Sequence, residues 1–262
     1  MIKAAVLGSP IAHSLSPKIH NKALDILGLR GIYQSFEVNE SEFAGFLSKH
    51  SFDEWSGFSL TMPLKESVFG VISEMDETTV RINSANTIYQ KDGLWKATST
   101  DLLAFDNLAK VSRDSRVVII GAGGTARAAI GSLNNRVNSV DVLLRNSNRR
   151  SAMQKAAPKL KINFLEMSAP IDNYDLVIQT TPAGAYDSFV DQVTNPSGTL
   201  IEALYKPFPT PLVTKFLDKS REVISGKELL VEQALFQIEL FTGAKVDFNQ
   251  MRTALLAEIA QD

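Results

Sequence analysis

The sequence of 262 residues contains no cysteine, which excludes disulfide bonds and thiolate metal sites and fits a reducing compartment. Its three histidines, His13, His20 and His50, are too few to indicate a zinc site. It also lacks an apolar run of about eighteen residues, the length that a membrane-spanning helix needs. We therefore expect a cytoplasmic protein without a bound metal.

The sequence has no excess of charge of either sign. Lysine and arginine total 27, aspartate and glutamate total 29, and the net charge is −2. A surface of this kind does not attract polyanions, so we expect a small-molecule partner and neither nucleic acid nor membrane. A monomer and a homodimer both remain open. The length favours two modest domains over one.

Strand-like and helix-like segments alternate along both halves of the sequence. In the first half, apolar runs at 4–8, 32–38 and 55–60 are separated by helical patterns, and the turn Asp92-Gly93 predicts a hairpin. In the second half, strand-like runs follow one another at 117–120, 140–145, 160–167, 175–182, 198–205 and 222–226. We predict an α/β protein with an N-terminal α/β substrate domain, 1–100, and a Rossmann-type doubly wound cofactor domain, 101–226. Helices in 227–262 return to the first domain.

A glycine-rich segment follows the apolar run at 117–120 and precedes an alanine-rich helix. It matches the pattern G-x-G-x-x-A and consists of Gly121, Ala122, Gly123, Gly124, Thr125 and Ala126. In this context the pattern indicates a dinucleotide site, because its glycines allow a tight turn and close approach of a pyrophosphate to the helix N-terminus. A glycine turn that serves packing alone is the alternative. A P-loop is excluded because no Gly-Lys-Ser/Thr follows.

A basic segment after the second strand of this domain bears on the cofactor. It contains Arg145, Asn146, Ser147, Arg149 and Arg150. Arginines at this position can bind the 2′-phosphate of NADP. Asp141, the candidate for binding the ribose of NAD, precedes the apolar part of its strand and so lies at the wrong end. The segment predicts NADP, and a solvated basic loop is the alternative.

Several polar residues have ordinary structural interpretations. Lys65 follows a strand and a Thr-Met-Pro turn, where it can be a surface residue of a first helical turn. Asp101 and Ser16 can each cap a helix. Gln233 lies beside an apolar helix stripe, as half-buried polar residues often do.

Seven motifs in one order resemble the shikimate dehydrogenase family along the whole chain. They are Gly8–Asn21, Thr61–Lys65, Asn83–Thr87, Thr100-Asp101, Gly121–Arg127, Tyr205–Leu212 and Ser225–Ala234. The resemblance implies interconversion of 3-dehydroshikimate and shikimate with NADPH, in the pathway to the aromatic amino acids. It implies a catalytic pair, Lys65 and Asp101, either of which can carry the transferred proton. It also implies substrate contacts from Ser14, Ser16, Thr61, Asn86, Tyr205 and Gln233, and a cofactor segment that includes Gly226.

The chain departs from the family pattern at several polar positions. Ser59 and Ser99 stand where asparagine is usual, Lys206 replaces an aspartate, and the basic segment meets its motif loosely. These departures concern specificity more than the type of reaction. An NAD-dependent quinate/shikimate dehydrogenase and a non-catalytic dinucleotide-binding sensor are the alternatives.

Overall fold

The structure is a computed structural model that describes residues 1–50 and 53–262. It divides into two compact units, Met1–Asp101 with Leu230–Asp262, and Leu102–Leu229. The strands are β1 (Ile2–Gly8), β2 (Gly31–Glu37), β3 (Gly57–Leu60), β4 (Glu74–Met75), β5 (Thr87–Lys91), β6 (Leu94–Thr98), β7 (Val117–Ile120), β8 (Ser139–Leu143), β9 (Lys161–Leu165), β10 (Leu176–Gln179), β11 (Thr199–Glu202) and β12 (Val223–Ile224).

The helices are α1 (Ser16–Ile26), α2 (Glu40–Lys49), α3 (Leu64–Ser67), α4 (Glu77–Ile82), α5 (Thr100–Leu108), α6 (Gly124–Leu133), α7 (Arg150–Ala156), α8 (Pro211–Asp218), α9 (Gly226–Thr242) and α10 (Phe248–Glu258). Short 3-10 turns lie at Val68–Gly70, Ser147–Arg149 and Asp187–Gln192. The boundaries between the two units fall inside α5 and α9.

The first unit contains a mixed sheet with the strand order β2-β1-β3-β5-β6-β4. Strands β1, β2 and β3 are parallel, as the alternating strand and helix patterns predict. Strands β5 and β6 form the predicted antiparallel hairpin, in which Lys91 pairs with Leu94. Asp92 and Gly93 both have positive φ, +58° and +73°, which is the geometry of a two-residue type I′ turn. The sequence analysis did not identify the short strand β4 or the helix α4.

Helices from both ends of the chain pack together in the first unit. Ile19 and Ala23 of α1 contact Val231, Leu235 and Ile238 of α9 in one buried cluster. A second cluster lies between the sheet and α2 and is built on Phe43, Phe58 and Ile88. Residues near positions 20 and 230 therefore come together, and this brings polar side chains of α9 to the sheet.

The second unit contains a parallel sheet with the strand order β12-β11-β10-β7-β8-β9. This is the doubly wound order of a Rossmann fold, in which the chain direction across the sheet reverses between β7 and β10. The buried runs at 117–120 and 176–179 occupy these two central strands, because strands covered on both faces are continuously apolar. The predicted α/β and doubly wound fold class is confirmed.

Two glycines of the first unit provide a matched test of the packing. A Cβ on Gly57 in β3 would lie 2.5 Å from the Ile88 carbonyl oxygen and 2.4 Å from the Phe241 ring, so we expect Gly57→Ala to lower the free energy of unfolding by about 1–3 kcal/mol. Gly45 in α2 has no heavy atom of residues 1–50 and 53–262 within 4 Å of its Cβ position. Gly45→Ala should raise that free energy by about 0.5–1 kcal/mol. Urea unfolding measures both changes, and equal effects would contradict the packing of β3 against α9.

Candidate active site and cofactor site

Backbone hydrogen bonds before and at Lys65 hold the segment that follows β3. The Thr61 N–H donates to the Leu7 carbonyl, and the Ala85 N–H donates to the Lys65 carbonyl. Leu64, fully buried, anchors the start of α3. The Lys65 side chain is partly exposed, and its Nζ lies 2.6 Å from Asp101 Oδ2. The lysine is therefore a member of an ion pair and not a freely solvated surface residue.

Asp101 is the second residue of α5, since the helix begins at Thr100. Its side chain is occupied on both oxygens: Oδ2 accepts from Lys65, and Oδ1 accepts from Asn86 Nδ2 at 3.0 Å. The alternative in which Asp101 caps the helix is wrong, because its carboxylate is turned to these two partners and its backbone is already helical.

The side-chain amide of Asn86, which is 3% exposed, is the centre of this site. Its Nδ2 contacts Asp101 Oδ1, Thr100 Oγ1 and Gln233 Oε1 at 2.9–3.0 Å. Its Oδ1 accepts from the Thr100 N–H at 2.7 Å and from the Thr87 hydroxyl at 3.2 Å. Because a backbone N–H is a donor only, the contact with Thr100 fixes which way the amide points.

Gln233 completes a group of four predicted residues that the structure brings together. It projects from α9, is 6% exposed, and donates from Nε2 to the Leu230 carbonyl at 2.7 Å. Its Oε1 accepts from Asn86. Lys65, Asp101, Asn86 and Gln233 thus form one continuous chain of hydrogen bonds. Such a group combines a positive donor with oriented amides, which can bind and polarise a carbonyl or hydroxyl oxygen.

The other predicted residues of the first unit lie at the ends of β1 and β3. Ser14 accepts from the Ser16 N–H at 3.3 Å. Ser16 is buried. It does not cap α1: the helix starts at Ser16 and its cap position is Leu15, without a side-chain bond. Thr61 lies beside Gly8, where a Cβ would come within 2.3 Å of Thr61 Cγ2.

Sequence reasoning missed a buried set of partners behind Asn86. Gln237, one helical turn after Gln233, donates from its side chain to the Asn86 backbone carbonyl. It also contacts the side chains of Ser59 and His20. The i, i+4 spacing of Gln233 and Gln237 beside the apolar stripe of α9 is visible in the sequence, but it did not indicate what Gln237 contacts. Ser59, one of the departures from the family pattern, also accepts from the Tyr33 hydroxyl at 2.6 Å.

The glycine turn of the second unit lies between β7 and α6, at the point where the strand order reverses. Gly121 has φ +112°, and a Cβ there would lie 2.6 Å from Thr180 Oγ1, so only glycine fits without strain. Gly123 occupies the cap position of α6 without a side-chain cap bond, and Ala126 is buried. Ala122, Gly124 and Thr125 are part-exposed in the same turn. The first N–H groups of this ten-residue helix have no partner within the helix, and such groups can bind an anion.

The basic segment follows the carboxyl end of β8, next to β7 in the sheet. Its five predicted residues are exposed: Arg145, Asn146, Ser147, Arg149 and Arg150. Asn146 caps the 3-10 turn by accepting from the Asn148 N–H, and the Arg150 guanidinium lies 5.5 Å from the Phe164 ring centre. Asp141 lies inside β8, and its carboxylate accepts from Asn163 and Tyr174. That carboxylate is therefore turned away from the strand end, as the sequence analysis expected.

Tyr205 and Gly226 are neighbours in the second unit. A Cβ on Gly226 would lie 2.4 Å from the Leu204 carbonyl oxygen and 2.6 Å from the Tyr205 nitrogen, so the absent side chain allows this close approach. Buried Glu202 accepts from the Leu204 N–H and from the Thr210 hydroxyl. Burial raises the pKa of Glu202 to about 7, and burial also raises the pKa of Tyr205.

The described residues contain neither a metal cluster nor a membrane-spanning helix. In 1–50 and 53–262, no cluster of three or more histidine, aspartate or glutamate side chains is arranged to hold a metal ion. None of the helices in that part of the chain is long and apolar enough to cross a membrane.

The fold and the glycine turn define a two-unit α/β protein with a Rossmann-type second unit, and comparisons with known proteins identify the family. Three family models match: shikimate dehydrogenase substrate binding domain at 6–88, shikimate / quinate 5-dehydrogenase at 103–194, and shikimate 5′-dehydrogenase C-terminal domain at 226–256. The NADP(+) shikimate dehydrogenase of an Exiguobacterium species is 30% identical over 93% of this chain and 94% of its own. The chain belongs to the shikimate dehydrogenase family.

Solved structures agree with this assignment. The crystal structure of Mycobacterium tuberculosis shikimate dehydrogenase is 30% identical, with a TM-score of 0.88 and coverage of 98% of this chain and 99% of that chain. A Thermus thermophilus shikimate 5-dehydrogenase, solved in complex with NADP(H) and shikimate, is 26% identical with a TM-score of 0.83 over 99% of this chain and 100% of that one. The predicted resemblance is confirmed.

Because His20 is buried, we expect it to make the stability of the protein depend on pH. Burial lowers the pKa of His20 from 6.5 to about 3. Above pH 6.5 both folded and unfolded forms are neutral, whereas between pH 6.5 and 3 the unfolded chain takes up a proton that the folded chain refuses. As the pH is lowered through this window, His20 should therefore reduce the free energy of unfolding by up to about 1.4 kcal/mol per pH unit.

Denaturant unfolding of the unsubstituted protein, His20→Asn and His13→Asn between pH 7 and 4 measures this contribution. The His20→Asn curve should fall less steeply with pH than that of the unsubstituted protein. The His13→Asn curve should keep the original slope, because His13 is exposed. Equal slopes for all three proteins would contradict the buried, neutral imidazole.

Proposed function

We propose that the protein is an NADP-dependent shikimate dehydrogenase, which reduces 3-dehydroshikimate to shikimate reversibly with NADPH. The observation that carries the proposal is the Lys65–Asp101 pair, 2.6 Å apart and held by Asn86, in a chain of this family. Relatives at 30% identity are named NADP(+) shikimate dehydrogenases, and the Thermus thermophilus relative was solved with NADP(H) and shikimate.

The residues of the second unit fit NADP. Gly123 has no heavy atom of the described residues within 4 Å of its Cβ position, so a phosphate can approach the N-terminus of α6 closely. Arg145, Arg149 and Arg150 supply positive charge at the end of β8, where a 2′-phosphate would be bound. When bound, NADPH supplies the hydride of the reaction.

The residues of the first unit fit a polyhydroxylated carboxylate with a ketone. The Lys65 ammonium can stabilise the negative charge that develops on the ketone oxygen and can hold the proton that this oxygen needs. Asp101 orients the ammonium and provides its counter-charge. Ser14 and Ser16 offer hydroxyls for the carboxylate, and the remaining proposed substrate contacts are Thr61, Asn86, Gln233 and Tyr205.

The proposal assigns the substrate to 1–100 with 227–262, and the cofactor to 101–226. A cytoplasmic location and a monomeric or homodimeric state are further parts of it. Cell fractionation and light scattering test these two parts independently of the reaction.

Absorbance at the nicotinamide band tests the function directly, with purified protein and with shikimate and quinate crossed against NADP and NAD. Turnover of shikimate with NADP, well above every other combination, is the expected result. Turnover with quinate or NAD at a similar rate would instead identify the protein as an NAD-dependent quinate/shikimate dehydrogenase. Nucleotide binding without turnover would refute the enzymatic proposal in favour of a sensor.

Lys65→Ala should lower kcat by about 10²–10⁴-fold with little change in KM, because it removes proton transfer in the transition state. Steady-state kinetics with shikimate and NADP measures both constants. Lys96→Ala is the matched control, since Lys96 pairs with the exposed Asp92 in the hairpin. A tenfold rise in KM at unchanged kcat would make Lys65 a binding residue only.

Arg145→Ala and Arg149→Ala should each reduce the preference for NADP over NAD, measured as the ratio of the two kcat/KM values. A charge-assisted hydrogen bond to the 2′-phosphate accounts for a factor of roughly ten or more per arginine. The values for NAD should stay near those of the unsubstituted protein. Arg113→Ala, an exposed arginine at the amino end of β7, is the control. An unchanged ratio in both variants would leave the basic segment as a solvated loop.

A further inference from the structure

A buried chain of hydrogen bonds runs from Tyr33 to Asn86 behind the proposed active site. Tyr33, 3% exposed, donates to Ser59, and Ser59 donates to Gln237 Oε1 at 2.7 Å. Gln237 then donates from Nε2 to the Asn86 carbonyl at 3.2 Å. The chain thus connects side chains of β2, β3 and α9 to the residue that holds Asp101.

Gln237 is the member whose full hydrogen-bonding capacity is used. It is 1% exposed. Its Nε2 donates to the Asn86 carbonyl and to Thr87 Oγ1 at 2.9 Å, and its Oε1 accepts from Ser59 Oγ and from His20 Nε2 at 3.2 Å. A primary amide has two donor hydrogens and two acceptor positions, and all four are paired here. Because the Asn86 carbonyl only accepts, the amide has one possible orientation.

Gln237 and Thr100 support the same arrangement of Asn86. Thr87 Oγ1 accepts from Gln237, and its own hydrogen can go to Asn86 Oδ1 or to Thr100 Oγ1, each at 3.2 Å. The Thr100 N–H, at 2.7 Å, makes Asn86 Oδ1 an acceptor, and Nδ2 is therefore directed to Asp101 and Gln233. On the far side, His20 stacks on Tyr33 with ring centres 4.0 Å apart and supplies a donor to Gln237.

We propose that Gln237 is a positioning residue of the active site, which holds Asn86, and through it Asp101, in the orientation that the reaction needs. Ser59 of β3 supports this role, because its hydroxyl donates to Gln237 Oε1. The inference rests on the proposed function, since Asn86 and Asp101 are assigned to substrate and catalysis by it.

The first test compares Gln237→Met, of similar length without hydrogen bonds, with the unsubstituted protein. We expect kcat/KM for shikimate to fall by roughly 10- to 100-fold, because the loss leaves buried partners unpaired and removes the hydrogen bond that holds the Asn86 carbonyl. KM for NADP should not change. A change in KM for NADP alone, or an unchanged kcat/KM for shikimate, would overturn the proposal. Gln250→Met, an exposed glutamine of α10, is the control.

The second test uses Gln237→Glu, whose activity should depend on pH in a way that a merely structural role would not produce. A protonated glutamic acid can still donate to the Asn86 carbonyl, whereas a carboxylate presents an acceptor to an acceptor. The ratio of kcat for this variant to kcat for the unsubstituted protein should therefore rise tenfold or more from pH 9 to pH 6. For Gln237→Met and Gln250→Glu the ratio should be flat.

The titratable groups that face position 237 are His20 from α1 and Tyr33 from β2, with the Lys65–Asp101 pair beyond Asn86. If His20 takes up a proton beside the new carboxylate, the rise moves to lower pH and keeps its direction. A flat ratio for Gln237→Glu in a folded sample, verified by circular dichroism, would overturn the proposal.

A readout independent of turnover separates this proposal from the proposed function. The Asn86 side-chain amide signal in nitrogen-15 NMR, assigned by its loss in Asn86→Asp, should shift and exchange faster with solvent in Gln237→Met. It should be unaffected in Gln250→Met. If the unsubstituted protein lacks turnover, the proposed function fails while this measurement still decides whether Gln237 holds Asn86. An unchanged Asn86 signal would overturn the positioning role.

Discussion

The side-chain amide of Asn86 is the interaction on which the rest of the site depends. It contacts the carboxylate that pairs with Lys65, and it contacts Gln233 from a helix almost 150 positions later in the sequence. An asparagine buried to this degree is stable only when its donors and acceptor are paired. The same pairing that stabilises the fold therefore also fixes the orientation of the Lys65–Asp101 pair.

Features that depend on neighbouring residues could be predicted from the sequence. The turn Asp92-Gly93 specifies its hairpin because both residues tolerate positive φ, and the glycine turn at 121–126 specifies the strand-to-helix connection of a Rossmann unit. The continuous apolar runs gave the central strands of the second unit correctly. The two-residue strand β4 was missed because its pairing with β6 leaves no periodic pattern in so short a segment.

Features that depend on distant residues could not be predicted from the sequence. Asp101 follows Ser-Thr before a helix, which is ordinary capping sequence, and only contact with Lys65, 36 positions earlier, distinguishes the two interpretations. Ser59 and Gln237 are 178 positions apart, so neither indicates the other. The resemblance to the family could suggest residues at matched motifs, but it could not suggest Gln237, which lies outside the quoted motifs.

The hydrogen-bonded chain behind the site is built from uncharged groups, and this has a consequence for its behaviour in different ionic media. Its members are amides, hydroxyls and a neutral imidazole, while the charges are confined to the partly exposed Lys65–Asp101 pair. Dissolved ions screen attraction between exposed charges, but they have little effect on short contacts between buried dipoles. Concentrated salt should therefore weaken the binding of an anionic ligand but leave the buried hydrogen-bonded chain intact.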